Sequence, residues 1–135
     1  MPRTSILLAD DNFAVLNHVR KMLEKDYEIV AALHDGESVL RDWPRLRPDL
    51  IVLDISLGEP NGLAVARSLR ETGCISKIVF LTIHQDPDFV KAAIEAGGLG
   101  YVLKSRMSRD LTPAIHAVLS GKRFVSPSLA EILVD

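Results

Sequence analysis

The stretch that most limits how this chain can fold is Leu50-Ile51-Val52-Leu53, a run of four apolar residues. Pro48-Asp49 precedes the run and Asp54 follows it, so the run is bounded by a turn-forming pair and by an acid. A short apolar run of this kind is typical of a strand that is buried on both faces, as in a parallel sheet. Such a strand delivers Asp54 to the carboxyl edge of the sheet, where open α/β folds bind their ligands.

Four further apolar runs predict strands of the same type, and segments with helical periodicity separate them. Right-handed crossovers between parallel strands place helices on both faces of a sheet. The sequence therefore predicts an α/β fold, a doubly wound five-stranded parallel sheet with the strand order 2-1-3-4-5. The further predicted strands are Ser5–Ala9, Glu28–Leu33, Lys77–Thr82 and Leu99–Leu103.

Cap and stop residues indicate where several helices begin and end. Asp86-Pro87 is typical of a helix cap followed by a first-turn proline. We expect the last full helix to begin at Asp110 or slightly earlier, because a cap at Asp110 leaves Pro113 in the first turn, where proline is tolerated. Pro44 disfavours a helical turn, so the sequence alone does not determine where the second helix ends.

The C-terminal residues after Phe124 predict a further, shorter element. Apolar residues at Leu129, Ile132 and Leu133 are consistent with a short amphipathic helix that begins near Ser126-Pro127. We interpret residues 1–125 as one domain. Residues 126–135 are then a C-terminal extension or the start of a linker to a further domain.

Length and composition narrow the class of protein. The chain has 135 residues, of which 47% are hydrophobic and 25% are charged, the ordinary balance of one soluble globular domain. A net charge of −2 provides no basic stripe for nucleic acid. Cys74 is the single cysteine, which excludes an intramolecular disulfide and favours a reducing compartment. With no signal-peptide pattern and no membrane-spanning apolar run, we expect a cytoplasmic protein without a membrane partner.

Polar residues follow four of the predicted strands. Because the ends of parallel strands lie at one edge of a sheet, these side chains can meet in one pocket. Three carboxylates close together repel: at an effective dielectric constant of about 20, each ionised pair about 4 Å apart costs roughly 4 kcal/mol. Either a proton or a cation must therefore be present, and oxygen ligands suit Mg²⁺ or Mn²⁺ better than zinc. The strand-end residues are Asp10-Asp11, Asp54, Thr82 and Lys104.

The same residues indicate phosphoryl chemistry. Lys104 supplies a second positive centre, so an anion can bind beside a carboxylate that also holds a cation. An aspartate can attack phosphorus and become an acyl phosphate, and this reaction depends mainly on positioning and charge neutralisation. We therefore predict that Asp54 is the phosphoryl acceptor and that the Thr82 hydroxyl hydrogen-bonds a phosphoryl oxygen.

This set of strand-end residues resembles the receiver domain of two-component response regulators (the CheY-like fold), over roughly residues 5 to 121. Two stretches are similar to the NarL/FixJ-type subfamily, namely Gly100-Tyr101-Val102-Leu103-Lys104-Ser105 and Gly121-Lys122-Arg123-Phe124-Val125-Ser126-Pro127.

The resemblance implies a set of roles. A histidine kinase or a phosphotransfer protein would phosphorylate Asp54, and Thr82 and Tyr101 would form a switch pair in which the aromatic ring follows the hydroxyl inward. The alternative for Tyr101 is simple packing against the next helix. The implied Mg²⁺ ligands are Asp11, Asp54 and the backbone carbonyl of Ser56, with Asp10 acting largely through water.

Three positions depart from the common receiver pattern. Many receivers have proline four residues after the acceptor, where this chain has Gly58, so the loop over the metal is expected to differ in shape. Ile83 is bulky where the residue after the switch threonine is often small, which is expected to restrict access of small donors. Ser105 replaces a frequent proline, and since a cis bond without proline costs about 2.5–4 kcal/mol, we predict a trans bond after Lys104.

The resemblance leaves the output of the module open. NarL/FixJ-type receivers usually precede a helix-turn-helix domain, which favours control of transcription through an output domain that these 135 residues do not contain. DNA would then be contacted only by that domain, and a phosphorylation-dependent homodimer is compatible with this view. The alternatives are a stand-alone receiver that acts through protein contacts and a fold that binds partners without phosphorylation.

A Mg²⁺-dependent phosphohydrolase is a further alternative. Ser56 argues against it, because haloacid-dehalogenase enzymes have a second aspartate at this position, and we expect no turnover of an external substrate. His84, two residues after Thr82, either tunes the pocket or is a bystander.

Overall fold

Strands and helices alternate along the chain, as the apolar periodicity predicted. The computed structural model describes residues 3–130. A 3₁₀ turn, Lys104–Arg106, directly precedes the fifth helix. The elements in chain order are β1 (Ser5–Ala9), α1 (Phe13–Leu23), β2 (Glu28–Leu33), α2 (Gly36–Leu46), β3 (Leu50–Leu53), α3 (Gly62–Glu71), β4 (Lys77–Thr82), α4 (Pro87–Glu95), β5 (Gly100–Leu103), α5 (Met107–Leu119), β6 (Phe124–Val125) and α6 (Pro127–Ala130).

Six parallel strands form one sheet in the order β2-β1-β3-β4-β5-β6. The predicted order 2-1-3-4-5 is correct for the first five strands, and the predicted number of five is wrong. The sixth strand lies beside β5, where Phe124 N donates to Leu99 O at 2.9 Å and Ser126 N donates to Tyr101 O at 2.9 Å. A strand of two residues is too short to show a period of two, so its pairing partner alone defines it.

The side chains of the sheet alternate between two apolar layers. Helices α2, α3 and α4 cover one face, where the strands contribute residues such as Ile51 and Phe80. Helices α1 and α5 cover the other face, where Leu50 and Val52 lie. All four residues of β3 are at most 3% exposed, so the predicted strand buried on both faces is confirmed.

The fifth helix begins earlier than a cap at Asp110 would require. It starts at Met107, and Asp110 lies in its first turn, where it forms an ion pair of 3.2 Å with Arg106. Asp110 is therefore not the cap, but the start at Met107 agrees with the prediction of a start slightly before Asp110, and Pro113 lies inside the helix. Proline has no backbone N–H, so Pro113 removes one hydrogen bond of the helix. The burial of apolar residues on either side of it, such as Leu111, offsets the cost of that missing bond. Helix α2 likewise continues past Pro44.

The C-terminal segment packs against the sheet. Helix α6 begins at Pro127, where the short helix was predicted, and Leu129 is 3% exposed within the apolar layer of α2, α3 and α4. Ile132 and Leu133 lie outside the described residues. The boundary between a domain and a linker at residue 126 stays a prediction. Between residues 3 and 130, no helix has the length and apolar character needed to span a membrane.

Candidate functional site

The register of β1 and β3 brings the first acids together. Ala9 pairs with Leu53, so Asp10 and Asp54 follow two neighbouring strands at the same level. Asp54 N donates to Ala9 O at 2.9 Å, which extends the ladder to the acceptor position itself. Both aspartates are buried, at 3% and 1% exposure. Local strand pairing therefore places two carboxylates where water solvates them poorly.

Three carboxylates form one cluster at this edge. One oxygen from each of Asp10, Asp11 and Asp54 lies within 4.8 Å of the others, and Asp11 is the exposed member. Oδ1 of Asp10 accepts a hydrogen bond of 2.9 Å from Asn12 N. Oδ2 of Asp10 is buried and faces the ammonium group of Lys104. Three carboxylates with one ammonium group carry excess negative charge, so the cluster fits a further cation held by oxygen ligands.

The second strand pair brings a lysine to the same carboxylates. Thr82 of β4 pairs with Leu103 of β5, and Lys104 follows directly. Lys104 Nζ lies 2.9 Å from Asp10 Oδ2, as an ion pair, and donates a hydrogen bond of 3.2 Å to Asp54 Oδ2. One ammonium group therefore partly neutralises two carboxylates, which leaves the pocket with excess negative charge.

The pKa values at the site reflect burial and crowding. Burial and the charge of Asp10 raise the pKa of Asp54 from 3.8 to about 6, against the opposing effects of the Ser56 N–H and of Lys104. Burial lowers the pKa of Lys104, but the two carboxylates outweigh burial and raise it above its usual value. An aspartate whose pKa is strongly shifted and which faces a specific charged partner is typical of a functional site.

The loop between β3 and α3 is shaped by its glycines. Gly62 packs against the backbone of Asp54 so closely that any Cβ would overlap it. Asn61 caps α3 by accepting a hydrogen bond of 2.9 Å from Ala64 N. Gly58 has a φ of 86°, which proline cannot adopt because its ring holds φ near −65°. The loop of this chain must therefore differ from that of receivers with proline at this position.

Thr82 and Tyr101 meet at the backbone of His84. The buried Thr82 Oγ1 accepts a hydrogen bond of 3.1 Å from His84 N, and the Tyr101 hydroxyl donates to His84 O at 2.9 Å. Tyr101 is 1% exposed, and burial raises its pKa to about 12. The ring of His84 contacts both Ser56 and Phe89. Sequence reasoning left His84 undecided, and its spacing of two residues from the strand end was the one signal for it.

Two large apolar side chains are exposed in the segments that flank these strand ends. Phe13 and Ile83 are each 68% exposed, one at the start of α1 and one directly after Thr82. The effect of Ile83 on small donors stays a prediction. Glu59–Pro60 is the one cis peptide bond within residues 3–130, so the predicted trans bond between Lys104 and Ser105 is confirmed.

Comparisons with known proteins show what this chain is similar to. Residues 6–116 match the family model of the response regulator receiver domain. The chain is 36% identical over 131 residues to the transcriptional regulatory protein DesR of Bacillus subtilis, covering 96% of this chain and 65% of DesR. It is 30% identical over 131 residues to the nitrate/nitrite response regulator protein NarL of Escherichia coli K12, covering 96% of this chain and 61% of NarL. The chain thus spans less than two thirds of the length of these relatives.

A solved structure shares both the fold and the sequence pattern. The crystal structure of a LuxR-family two-component response regulator from Aurantimonas sp. SI85-9A1 matches with a TM-score of 0.91 at 34% identity, covering 96% of this chain and 94% of that chain. The predicted resemblance to response regulators of the NarL type is therefore confirmed. Because the family model matches most of its length, the chain belongs to the family of response regulator receiver domains.

Proposed function

We propose that this chain is the phosphoacceptor module of a two-component system, phosphorylated on Asp54 by a histidine kinase or a phosphotransfer protein. The observation that carries the proposal is the convergence of remote residues: three carboxylates within 4.8 Å of one another, and Lys104 Nζ 3.2 Å from Asp54 Oδ2. Phosphoryl transfer depends mainly on positioning and on neutralisation of charge. The pocket supplies both.

In this proposal the reaction depends on Mg²⁺. The carboxylates of Asp11 and Asp54 and the backbone carbonyl of Ser56 would hold the ion, and Asp10 would act largely through water. The donor set consists of oxygen atoms, as Mg²⁺ prefers, and the three carboxylates within 4.8 Å of one another outnumber the one ammonium group of Lys104. Bound Mg²⁺ supplies positive charge for the phosphoryl oxygens.

The acceptor step uses the ionised form of Asp54. A carboxylate oxygen forms the new O–P bond as the N–P bond of the donor phosphohistidine breaks, and the donor imidazole keeps the bonding electron pair. With a pKa of about 6, Asp54 is mostly ionised at about pH 7.5. Lys104 stabilises that charge and is positioned to donate to the transferred group.

The switch proposal concerns Thr82 and Tyr101. Thr82 Oγ1 accepts a hydrogen bond from His84 N, and a hydroxyl that accepts can also donate its own proton, in this proposal to a phosphoryl oxygen. Tyr101 is buried and donates to His84 O, an inward position consistent with the ring position that the family resemblance assigns to the phosphorylated state. The added charge of about −1.5 to −2 would shift the population of this arrangement.

The proposed output is transcription through a DNA-binding domain beyond this segment. The relative DesR is a transcriptional regulatory protein, and this chain covers 65% of its length. The net charge of −2 argues against direct DNA contact by this segment. A phosphorylation-dependent homodimer of the receiver belongs to the same proposal.

The exposed side chains of Phe13 and Ile83 are proposed to contact the phosphodonor. Each is 68% exposed, in a segment that directly follows a strand-end residue of the pocket. Large apolar side chains near a reactive group favour contact with a protein donor over contact with a solvated small molecule.

The test is phosphorylation of the purified chain with Mg²⁺ and a small phosphoryl donor, followed by intact mass and peptide mapping. Wild type should gain one base-labile phosphoryl group on Asp54, and Asp54→Asn should gain none. Asp110→Asn is the matched control, because Asp110 is also a buried aspartate but lies outside the pocket, and it should be phosphorylated.

A cognate phosphohistidine protein replaces the small donor if Ile83 restricts access. Phosphorylation at another residue, or no transfer from either donor, would refute the assignment of Asp54. Steady release of phosphate from small esters would instead favour a phosphohydrolase.

A further inference from the structure

The ring of His84 joins the acceptor pocket to helix α4. Its Nε2 shares a hydrogen bond of 3.1 Å with Ser56 Oγ. The same ring stacks on Phe89, with centroids 4.0 Å apart and planes inclined by 7°. Ser56 lies in the loop after Asp54, and Phe89 lies in the first turn of α4. The ring is therefore a direct bridge between a loop of the pocket and a helix at the surface.

The bridge reaches the acceptor carboxylate itself. Ser56 N donates a hydrogen bond of 3.0 Å to Asp54 Oδ1. Contacts therefore run without a gap from Asp54 through Ser56 and His84 to Phe89. A group bonded to Asp54 changes this hydrogen bond, and the position of the Ser56 hydroxyl changes with it.

The identity of the histidine matters for the bridge. The backbone N–H of His84 donates to Thr82 Oγ1, and its backbone O accepts from the Tyr101 hydroxyl. Any residue could accept through its backbone O, and any residue except proline could donate through its backbone N–H. The ring contacts, in contrast, require a planar aromatic ring with a hydrogen-bonding nitrogen at its far side. Glutamine would keep the hydrogen bond without the stack, and phenylalanine would keep the stack without the hydrogen bond.

We propose that His84 is a positioning residue that couples the chemical state of the acceptor pocket to the packing of α4. The proposal rests on the proposed role of Asp54 as the phosphoryl acceptor. The bridge occurs together with the inward position of Tyr101, so it belongs to the conformation that occupancy of the pocket should favour. Because coupling between two sites is reciprocal, packing of Phe89 on His84 should also strengthen binding in the pocket.

A double-mutant cycle tests this coupling, with beryllofluoride as the phosphoryl mimic in the presence of Mg²⁺. The Kd is measured by NMR titration for wild type, Phe89→Leu, His84→Ala and the double variant, and the amide spectra report folding. In the wild-type background, Phe89→Leu should weaken binding about three- to tenfold, the effect of one aromatic pair. In the His84→Ala background, it should change the Kd by less than about twofold.

Two further backgrounds separate the bridge from general packing. His84→Phe keeps an aromatic ring but lacks the bond to Ser56, so Phe89→Leu should have little effect there. His34→Ala is the matched control, since the His34 ring also contacts a phenylalanine, Phe13, with centroids 4.2 Å apart. In that background the effect of Phe89→Leu should persist.

The outcomes distinguish the two proposals. If wild type binds the mimic and Phe89→Leu has no effect, or has the same effect with and without His84, the coupling role is wrong and the acceptor role stands. If wild type does not bind the mimic at all, both proposals fail.

Discussion

Asp54→Asn should stabilise the folded chain at neutral pH, although it removes the proposed acceptor. The substitution keeps the size of the side chain and removes a buried charge that faces Asp10. A pKa raised from 3.8 to about 6 corresponds to about 3 kcal/mol, at about 1.36 kcal/mol per pH unit. This figure already includes the opposing ion pair with Lys104. The cost of burying an amide with imperfect hydrogen bonds, and of leaving Lys104 with one carboxylate fewer, offsets part of it, so we expect a net gain in the free energy of unfolding of about 1–2 kcal/mol.

The gain should depend on pH in a defined direction. Because the pKa of Asp54 is higher in the folded state, the folded state binds the proton more tightly than the unfolded state does. Ionisation of Asp54 therefore costs stability, from about pH 4 until the cost is complete above the folded-state pKa of about 6. The advantage of Asp54→Asn should shrink as the pH falls through this window.

Urea unfolding at about pH 4 and about pH 7.5, with a chelator to remove divalent ions, measures this difference. Asp110→Asn is the control, because it removes a carboxylate that is paired with Arg106 and should bring no such gain. The reasoning is refuted if Asp54→Asn is no more stable than wild type at pH 7.5, or if its advantage is the same at both pH values.

Three further predictions follow from the described contacts. Mg²⁺ at about ten times its Kd should raise the free energy of unfolding of wild type by about 1.4 kcal/mol, and an equal rise for Asp11→Asn would contradict the ligand assignment. Gly62→Ala should cost about 2–3 kcal/mol in urea unfolding, because its Cβ would overlap the backbone of Asp54; a neutral effect would contradict that packing. Ser126→Ala should cost about 1–2 kcal/mol and speed amide exchange at Leu103, because Ser126 Oγ accepts from Leu103 N at 3.1 Å; unchanged exchange would show that this bond does not matter.

Most of the fold follows from local sequence patterns. Each of the first five strands is a short apolar run, because both faces of a central strand are buried, and periodicity detects such runs without knowledge of their partners. Strand β6 could not be found this way, since two residues carry no period and the hydrogen bonds of Phe124 N and Ser126 N to β5 define it. The start of α5 at Met107 was predicted only to within a few residues, because Asp110 pairs with Arg106 instead of capping the helix.

The composition of the pocket was predictable because parallel strands end at one edge. Asp10, Asp54 and Lys104 were expected together on that ground, and the register of the sheet brings them within contact distance. The repulsion between crowded carboxylates was predictable, but the larger cause of the raised pKa of Asp54 was not: burial depends on how completely the neighbouring elements exclude water.

The sequence by itself determined the strands, most helices and the residue types at the strand ends, because these depend on the order of apolar and polar residues along the chain. Only the tertiary structure decided which side chains bridge different elements. The contact of His84 with Ser56 spans 28 positions and depends on the relative placement of two loops. Such contacts depend on distances in space, which a linear pattern of residue types does not contain.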